Sequence, residues 1–100
     1  MAIHYKIEYI ATFYSDVASM TAYLEEYPSK ARRIFEKLDH ILQSLIALPK
    51  MFPVYDAASQ FRRIVIEDYL VFYKLTEAER LIEVHRILCA RMDIAKQLGK

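Results

Sequence analysis

The sequence predicts an α+β domain with the element order β-α-α-β-β-β-α, in which an antiparallel two-helix hairpin packs on a mainly antiparallel four-stranded sheet. Apolar residues recur every three or four positions over residues 12–48, as they do on helices. Residues 61–88 instead form three runs rich in β-branched and aromatic residues. Helices and strands are thus grouped, and 100 residues predict one domain over residues 1–100.

The N-terminal part predicts one strand and one helix. Apolar and charged residues alternate over His4–Ile10, which is typical of a strand with one polar face. From Thr12 the spacing of apolar residues changes to three and four, which predicts a helix that Pro28 ends.

A second helix is predicted directly after the first. Ser29 is its expected N-cap, because its hydroxyl can accept a bond from an unpaired backbone N–H. The apolar stripe runs from Ala31 to Leu48, and Pro49 ends the helix. Since only residues 27–29 join the two helices, they must form an antiparallel hairpin.

Three strands and a short tail complete the prediction. The segment Val54–Ser59 is interpreted as a loop, and Ala90–Leu98 as one or two helical turns. Short segments join consecutive strands, so we expect neighbouring strands to be antiparallel. They are Phe61–Glu67, Tyr69–Leu75 and Leu81–Leu88.

Composition excludes several classes of site. A single cysteine, Cys89, excludes an internal disulfide and an all-cysteine metal site. The histidines are far apart and Gly99 is the only glycine, so we expect no metal and no cofactor. Because no apolar run reaches 18 residues, we expect neither a signal peptide nor a membrane span. We therefore expect a cytoplasmic protein.

Basic residues mark the predicted sheet and its C-terminal exit. On the strand Phe61–Glu67, the neighbouring Arg62 and Arg63 point to opposite faces. Alternation places Arg86 on the face of Ile82, Val84 and Leu88, where an arginine is costly unless it is paired or faces a cleft. The complete set is Arg62, Arg63, Lys74, Arg86 and Arg91.

Two interpretations of this set remain open. Arg86 forms a salt bridge, with Glu67, Asp68 or Asp93 as candidate partners, or it belongs to a cationic wall that meets phosphate. Alternation places His85 beside Glu83 on the face opposite Arg86, where it is either a surface residue or a base. Cys89 is either a small buried residue or a reactive thiolate.

The run FRRIVIEDYLVFYKL, followed by LIEVHRILCARMDIAKQL, resembles the C-terminal half of RelE/ParE toxins. The order of the N-terminal elements and the leucine stripe that ends near Pro49 resemble the family as well. The resemblance implies a bacterial type II toxin–antitoxin module of the plasmid-stabilization kind, with a cognate antitoxin protein as the partner that blocks the toxin.

The resemblance implies two mechanisms. One branch of the family cleaves mRNA on the ribosome as an endoribonuclease, or mRNA interferase; the other inhibits DNA gyrase without cleaving RNA. A nuclease, with ribosome and mRNA as partners, is the commoner expectation. It predicts a basic concave patch that contains Arg62 or Arg63 together with Arg86 and Arg91. A toxin-like protein that only binds its antitoxin is the third hypothesis.

Residue by residue, the resemblance gives both candidates and departures. The catalytic candidates are Arg62, Arg63, Arg86, Arg91 and His85, and the RNA-binding candidates are Lys74, Arg62, Arg63 and Arg91. Leu70 stands where ribosome-dependent nucleases often have an arginine, and Ile94 where several have a tyrosine. Cys89 replaces a histidine or tyrosine, and Ala90 a glycine. These departures favour the gyrase-binding alternative.

Overall fold

The computed structural model describes residues 4–99 and confirms the α+β fold. The strands follow the order β1-β5-β4-β3-β2 across one sheet, in which β1 is parallel to β5 and all other neighbours are antiparallel. The elements are β1 (Lys6–Tyr9), α1 (Ala11–Tyr23), α2 (Pro28–Ala47), β2 (Val54–Asp56), β3 (Phe61–Ile66), β4 (Tyr69–Thr76), a 3₁₀ turn (Glu77–Glu79), β5 (Leu81–Cys89) and α3 (Ile94–Gln97).

The sheet has one strand more than predicted. Within residues 4–99 it contains five strands, because β2 forms inside the segment Val54–Ser59 that was interpreted as a loop. Val54 and Asp56 pair with Arg62 and Phe61 across a register shift. A strand of three residues leaves no period-two pattern to detect. Residues 1–3 and 100 of the predicted domain lie outside the described residues.

Both helices begin and end near their predicted limits, with different caps. α1 ends at Tyr23, before the predicted stop at Pro28. The prediction of Ser29 as N-cap is wrong, because α2 begins at Pro28 with Tyr27 in the cap position. Proline suits the first helical position because the N–H that it lacks would have no helical partner there. No helix within residues 4–99 has the length and apolarity needed to span a membrane.

The two faces of the sheet are covered unequally. The helix face carries α1 and α2, and the main core lies between these helices and the sheet. On the opposite face, here called the open face, a small cluster of Phe61, Phe72 and Leu88 is covered by Ile94 and Leu98 from the α3 segment. Most of the buried apolar surface therefore lies on the helix face, and the strands are less covered on the open face.

A β-bulge in β5 decides which side chains reach the open face. Tyr73 pairs with Val84 and Phe72 pairs with Arg86, so His85 is an extra residue without a partner in the ladder. The bulge reverses the alternation, and Arg86 leaves the helix face on which Val84 is buried. The prediction that Arg86 shares a face with Ile82 and Val84 is therefore wrong.

Candidate functional site

The edge of β5 beyond Val84 is completed by side chains of α1. β1 ends at Tyr9, opposite Val84, so the remainder of β5 has no strand neighbour on that side. Thr12 Oγ1 donates a hydrogen bond of 2.8 Å to the carbonyl of His85. Asp16 Oδ2 accepts one of 3.1 Å from the backbone N–H of Ile87. Two edge groups of β5 are thus satisfied without a further strand.

Asp16 also binds the side chain of Arg86. Arg86 Nε lies 2.7 Å from Asp16 Oδ2, and its Nη2 lies 2.9 Å from Oδ1, a bidentate pair. Nη1 donates to the carbonyl of Gln97 in α3. The two side chains are only 18% and 12% exposed. The hydrogen bond to Asp16 raises the pKa of Arg86, although burial opposes that rise.

Arg86 is therefore a clamp that joins α1, β5 and α3. The two interpretations of this residue are resolved in favour of a salt bridge, and its partner is Asp16 rather than Glu67, Asp68 or Asp93. All three nitrogens of the guanidinium donate to protein oxygens.

Arg62 and Arg63 lie on opposite faces, as predicted. Arg62 Nη1 donates a 2.6 Å hydrogen bond to the carbonyl of Phe52, in the segment after α2. Arg63 is the cross-strand partner of Phe72 and so belongs to the open face. Its guanidinium carbon lies 5.2 Å from the ring centroid of Tyr55 in β2, within the range of a cation–π contact.

Lys74, Phe61 and His85 form a second group on the open face. Lys74 Nζ lies 4.5 Å from the ring centroid of Phe61. The imidazole of His85 packs edge-on against the same ring, with the centroids 5.2 Å apart. The prediction that His85 faces away from Arg86 is wrong, because the extra residue of the bulge keeps both on the open face.

The surroundings of His85 disfavour its protonated form. Burial lowers its pKa, Lys74 lowers it further, and Glu83 partly opposes the shift. Its Nε2 is buried and makes no hydrogen bond to another atom within residues 4–99. The lowered pKa favours the uncharged imidazole, but the Nε2 of His85 is covered.

The predicted basic patch is only partly assembled. Arg63 and Arg86 share a cross-strand row on the open face, but Arg86 is neutralised by Asp16, and Arg62 binds on the helix side. Arg91 follows β5, is exposed, and makes no ion pair within residues 4–99. The catalytic and RNA-binding roles of these residues stay predictions.

The departures from the nuclease pattern have a structural counterpart. Leu70 and Ile94 both pack against the cluster of Phe61, Phe72 and Leu88 on the open face. Cys89 lies on the other side and packs against the main core. Leu70 and Ile94 stand where a nuclease would have an arginine and a tyrosine, and both make apolar contacts in this chain instead.

Asp16 is the residue that sequence reasoning missed. It lies three positions after Phe13 and four before Met20, both of which are buried. A carboxylate at that spacing stands beside the buried stripe of a helix, where it needs a partner. This was the available signal, although nothing in the sequence identifies Arg86, 70 positions away, as that partner.

A family model described as the ParE toxin of type II toxin-antitoxin system, parDE, matches residues 7–94. The chain belongs to this family. A comparison with curated proteins gave no significant match. The membership confirms the resemblance to RelE/ParE toxins. This ParE-family protein is therefore the toxin component of a type II toxin–antitoxin system, and a cognate antitoxin is its partner.

Proposed function

We propose that this toxin arrests bacterial growth by binding a protein target, with DNA gyrase as the target that the resemblance implies, rather than by cleaving mRNA. The observation that carries the proposal is that the predicted catalytic cations are dispersed or already paired. Arg62 binds on the helix side of the sheet, and Arg86, which shares a cross-strand row with Arg63, is paired with Asp16.

The chemistry of RNA cleavage explains why this dispersal matters. Attack by the 2′-hydroxyl needs a base near that oxygen, donors around the phosphorane and an acid for the leaving oxygen. His85 is the nearest candidate base, but its Nε2 is covered. The charge of Arg86 is offset by Asp16 and contributes little to a developing phosphate charge. Binding to a protein surface requires none of these groups.

The test uses the purified toxin with purified DNA gyrase and relaxed plasmid DNA. We expect inhibition of supercoiling at micromolar toxin, and intact mRNA when the same preparation is added to a translating extract. The toxin neutralised with its antitoxin is the control and should leave gyrase active. Undisturbed supercoiling together with growth arrest in cells would contradict the proposal.

A ribosome-dependent nuclease is the second candidate, and one observation favours it. Arg63 over Tyr55 and Lys74 over Phe61 place cations and aromatic rings side by side on the open face. Such surfaces suit single-stranded nucleic acid, because bases stack on rings while cations meet phosphates.

Mapping the 5′ ends of cellular mRNA after induction tests this second candidate. New cuts inside translated frames that disappear in Arg63→Ala and Lys74→Ala would establish it. The matched control is Arg32→Ala, which removes an exposed cation from α2 instead. Normal growth with folded toxin in the cells would contradict both candidates and leave the inactive, antitoxin-binding protein.

A further inference from the structure

The imidazole of His85 lies in a closed group of side chains on the open face. Its ring packs edge-on against Phe61, with the centroids 5.2 Å apart, and Lys74 Nζ lies 4.5 Å from the centroid of the same Phe61 ring. The Nε2 of His85 is buried and makes no hydrogen bond within residues 4–99. A positive charge on this imidazole would therefore lie near Lys74 and gain no acceptor at Nε2.

No carboxylate forms an ion pair with His85 in the described part of the chain. Glu83, two positions earlier in β5, is the acid whose charge favours protonation of His85. Its Oε1, however, accepts a 2.9 Å hydrogen bond from Thr76 Oγ1. The carboxylate of Asp16 is bound to Arg86. Both acids thus have other partners while the group is closed.

The β-bulge allows the side chain of His85 to move without a change in the sheet. His85 is surplus to the ladder, since its two neighbours in β5 pair with Tyr73 and Phe72. Its backbone carbonyl accepts the hydrogen bond from Thr12 Oγ1, and a rotation of the side chain leaves that bond in place. The groups that α1 and β3 supply here, the hydroxyl of Thr12 and the ring of Phe61, carry no charge.

The group and the solvent therefore favour different charge states of the imidazole. Within the group, burial lowers the pKa of His85, Lys74 lowers it further, and Glu83 opposes the shift. The ordinary value is 6.5, so an imidazole that has left the group binds a proton more readily than one inside it. The closed arrangement is thus stable above pH 6.5 and is lost as the pH falls towards the lowered pKa.

We propose that His85 is a pH-dependent switch that changes the open face of the toxin. The neutral imidazole packs on Phe61 and closes the group. The protonated imidazole rotates into solvent and leaves that side of the Phe61 ring uncovered. The fold is retained, because no cross-strand pair of β4 and β5 includes His85. The switch belongs to the toxin alone and does not depend on whether its target is a protein or mRNA.

The test follows the purified toxin by NMR between pH 8 and pH 5. The imidazole signals of His85 report protonation, and the ring signals of Phe61 report the contact between the two rings. The methyl signals of Val71, which is fully buried, report whether the protein remains folded. We expect the signals of His85 and Phe61 to shift with one common midpoint below pH 6.5, while those of Val71 stay unchanged.

Three variants verify the cause of these shifts. Lys74→Gln should move the common midpoint to higher pH, because the cation that disfavours protonation is removed. Arg32→Gln removes an exposed cation from α2 and is the matched control, in which the midpoint should not move. In His85→Gln the ring signals of Phe61 should no longer depend on pH over this range.

Four results would overturn the proposal. Ring signals of Phe61 that do not follow protonation would show that the charged imidazole stays in the group. Imidazole signals of His85 that do not shift down to pH 5 would show that no proton binds in this range. A midpoint at or above pH 6.5 would show that the group does not disfavour the charge. Loss of the Val71 signals at the same midpoint would show that acid unfolds the whole protein.

Discussion

Arg63 and Arg86 belong to the same cross-strand row of the sheet, one on each side of Phe72. Their surroundings differ completely. Arg86 is bound by a carboxylate from α1 and a carbonyl from α3, whereas Arg63 lies over the ring of Tyr55 and makes no ion pair within residues 4–99. The difference comes from α1, which packs against β5 and places Asp16 beside Arg86.

The comparison shows what decides the role of a cation on a sheet. Strand position places both arginines on the open face, but only a distant helix supplies the acid that turns one into a clamp. A cation that is paired within the chain stabilises the fold, and one without an acid is available to a ligand. The following predictions test that division, from the largest expected effect to the smallest.

Removing the clamped arginine should destabilise the protein most. Within residues 4–99, Arg86→Met leaves the Asp16 carboxylate with one hydrogen bond, from the N–H of Ile87, in a site where it is 12% exposed. Losing one member of a buried pair costs about 3 kcal/mol. Urea denaturation measures the change in the free energy of unfolding.

A double-mutant cycle separates the clamp from other effects of this substitution. Asp16→Asn keeps an oxygen for Ile87 but removes the charge, and the double variant with Arg86→Met should lose less than the sum of the two. Additive losses would show that the two side chains do not depend on each other, which contradicts the clamp.

The stability lost with a neutral hydrogen bond on the helix face can be compared with the stability lost with the Asp16–Arg86 pair. The hydroxyl of the fully buried Tyr73 donates a 2.9 Å bond to the carbonyl of Pro49. Tyr73→Phe should cost about 1 kcal/mol, since one neutral hydrogen bond to the part-buried carbonyl of Pro49 is lost. Tyr55→Phe, at a 40% exposed position, is the control and should change stability little. Thermal unfolding of both variants measures the difference.

Removing an open-face cation should barely affect the fold. Arg63→Ala and Lys74→Ala each remove a cation–π contact, which at an exposed site is worth about 0.5–1 kcal/mol. The free energy of unfolding should therefore fall by less than about 1 kcal/mol in each. A loss of unfolding free energy as large as that of Arg86→Met would contradict the distinction between cations that are paired within the chain and cations that are not.

A surface ion pair should make a small contribution to stability that depends on pH. Glu67 accepts two 2.7 Å hydrogen bonds from Arg33, and these bonds, with Lys37, lower its pKa from 4.5 to about 2. Because the folded-state pKa lies below the unfolded one, the contribution is complete above pH 4.5 and is lost as the pH falls towards 2.

The free energy of unfolding of the unchanged protein and of Glu67→Gln, measured between pH 6 and pH 2, tests this sign. The difference between them should shrink as the pH falls through that range, and high salt should reduce it at pH 6. A difference that does not depend on pH would assign the role of Glu67 to packing rather than to charge.

The fold was predictable because its elements carry strong periodic patterns, and the site was only partly so. The alternation in β1 and the apolar stripe of α2 indicate their elements locally. β2 escaped prediction because three residues show no period, and it forms only because β3 offers an edge. The clamp depends on a contact between Asp16 and Arg86, 70 positions apart, that no local pattern contains.

The bulge at His85 has a consequence for insertions and deletions in the gene. One residue of β5 is surplus to the ladder, so deleting His85 would join Val84 directly to Arg86 and leave every other side chain on its present face. Deleting a neighbour such as Ile87 would instead turn the rest of the strand over. Deletion of one residue in β5 therefore preserves the alternation of faces within the bulge, at His85 or Arg86, although loss of Arg86 would also remove the pair with Asp16.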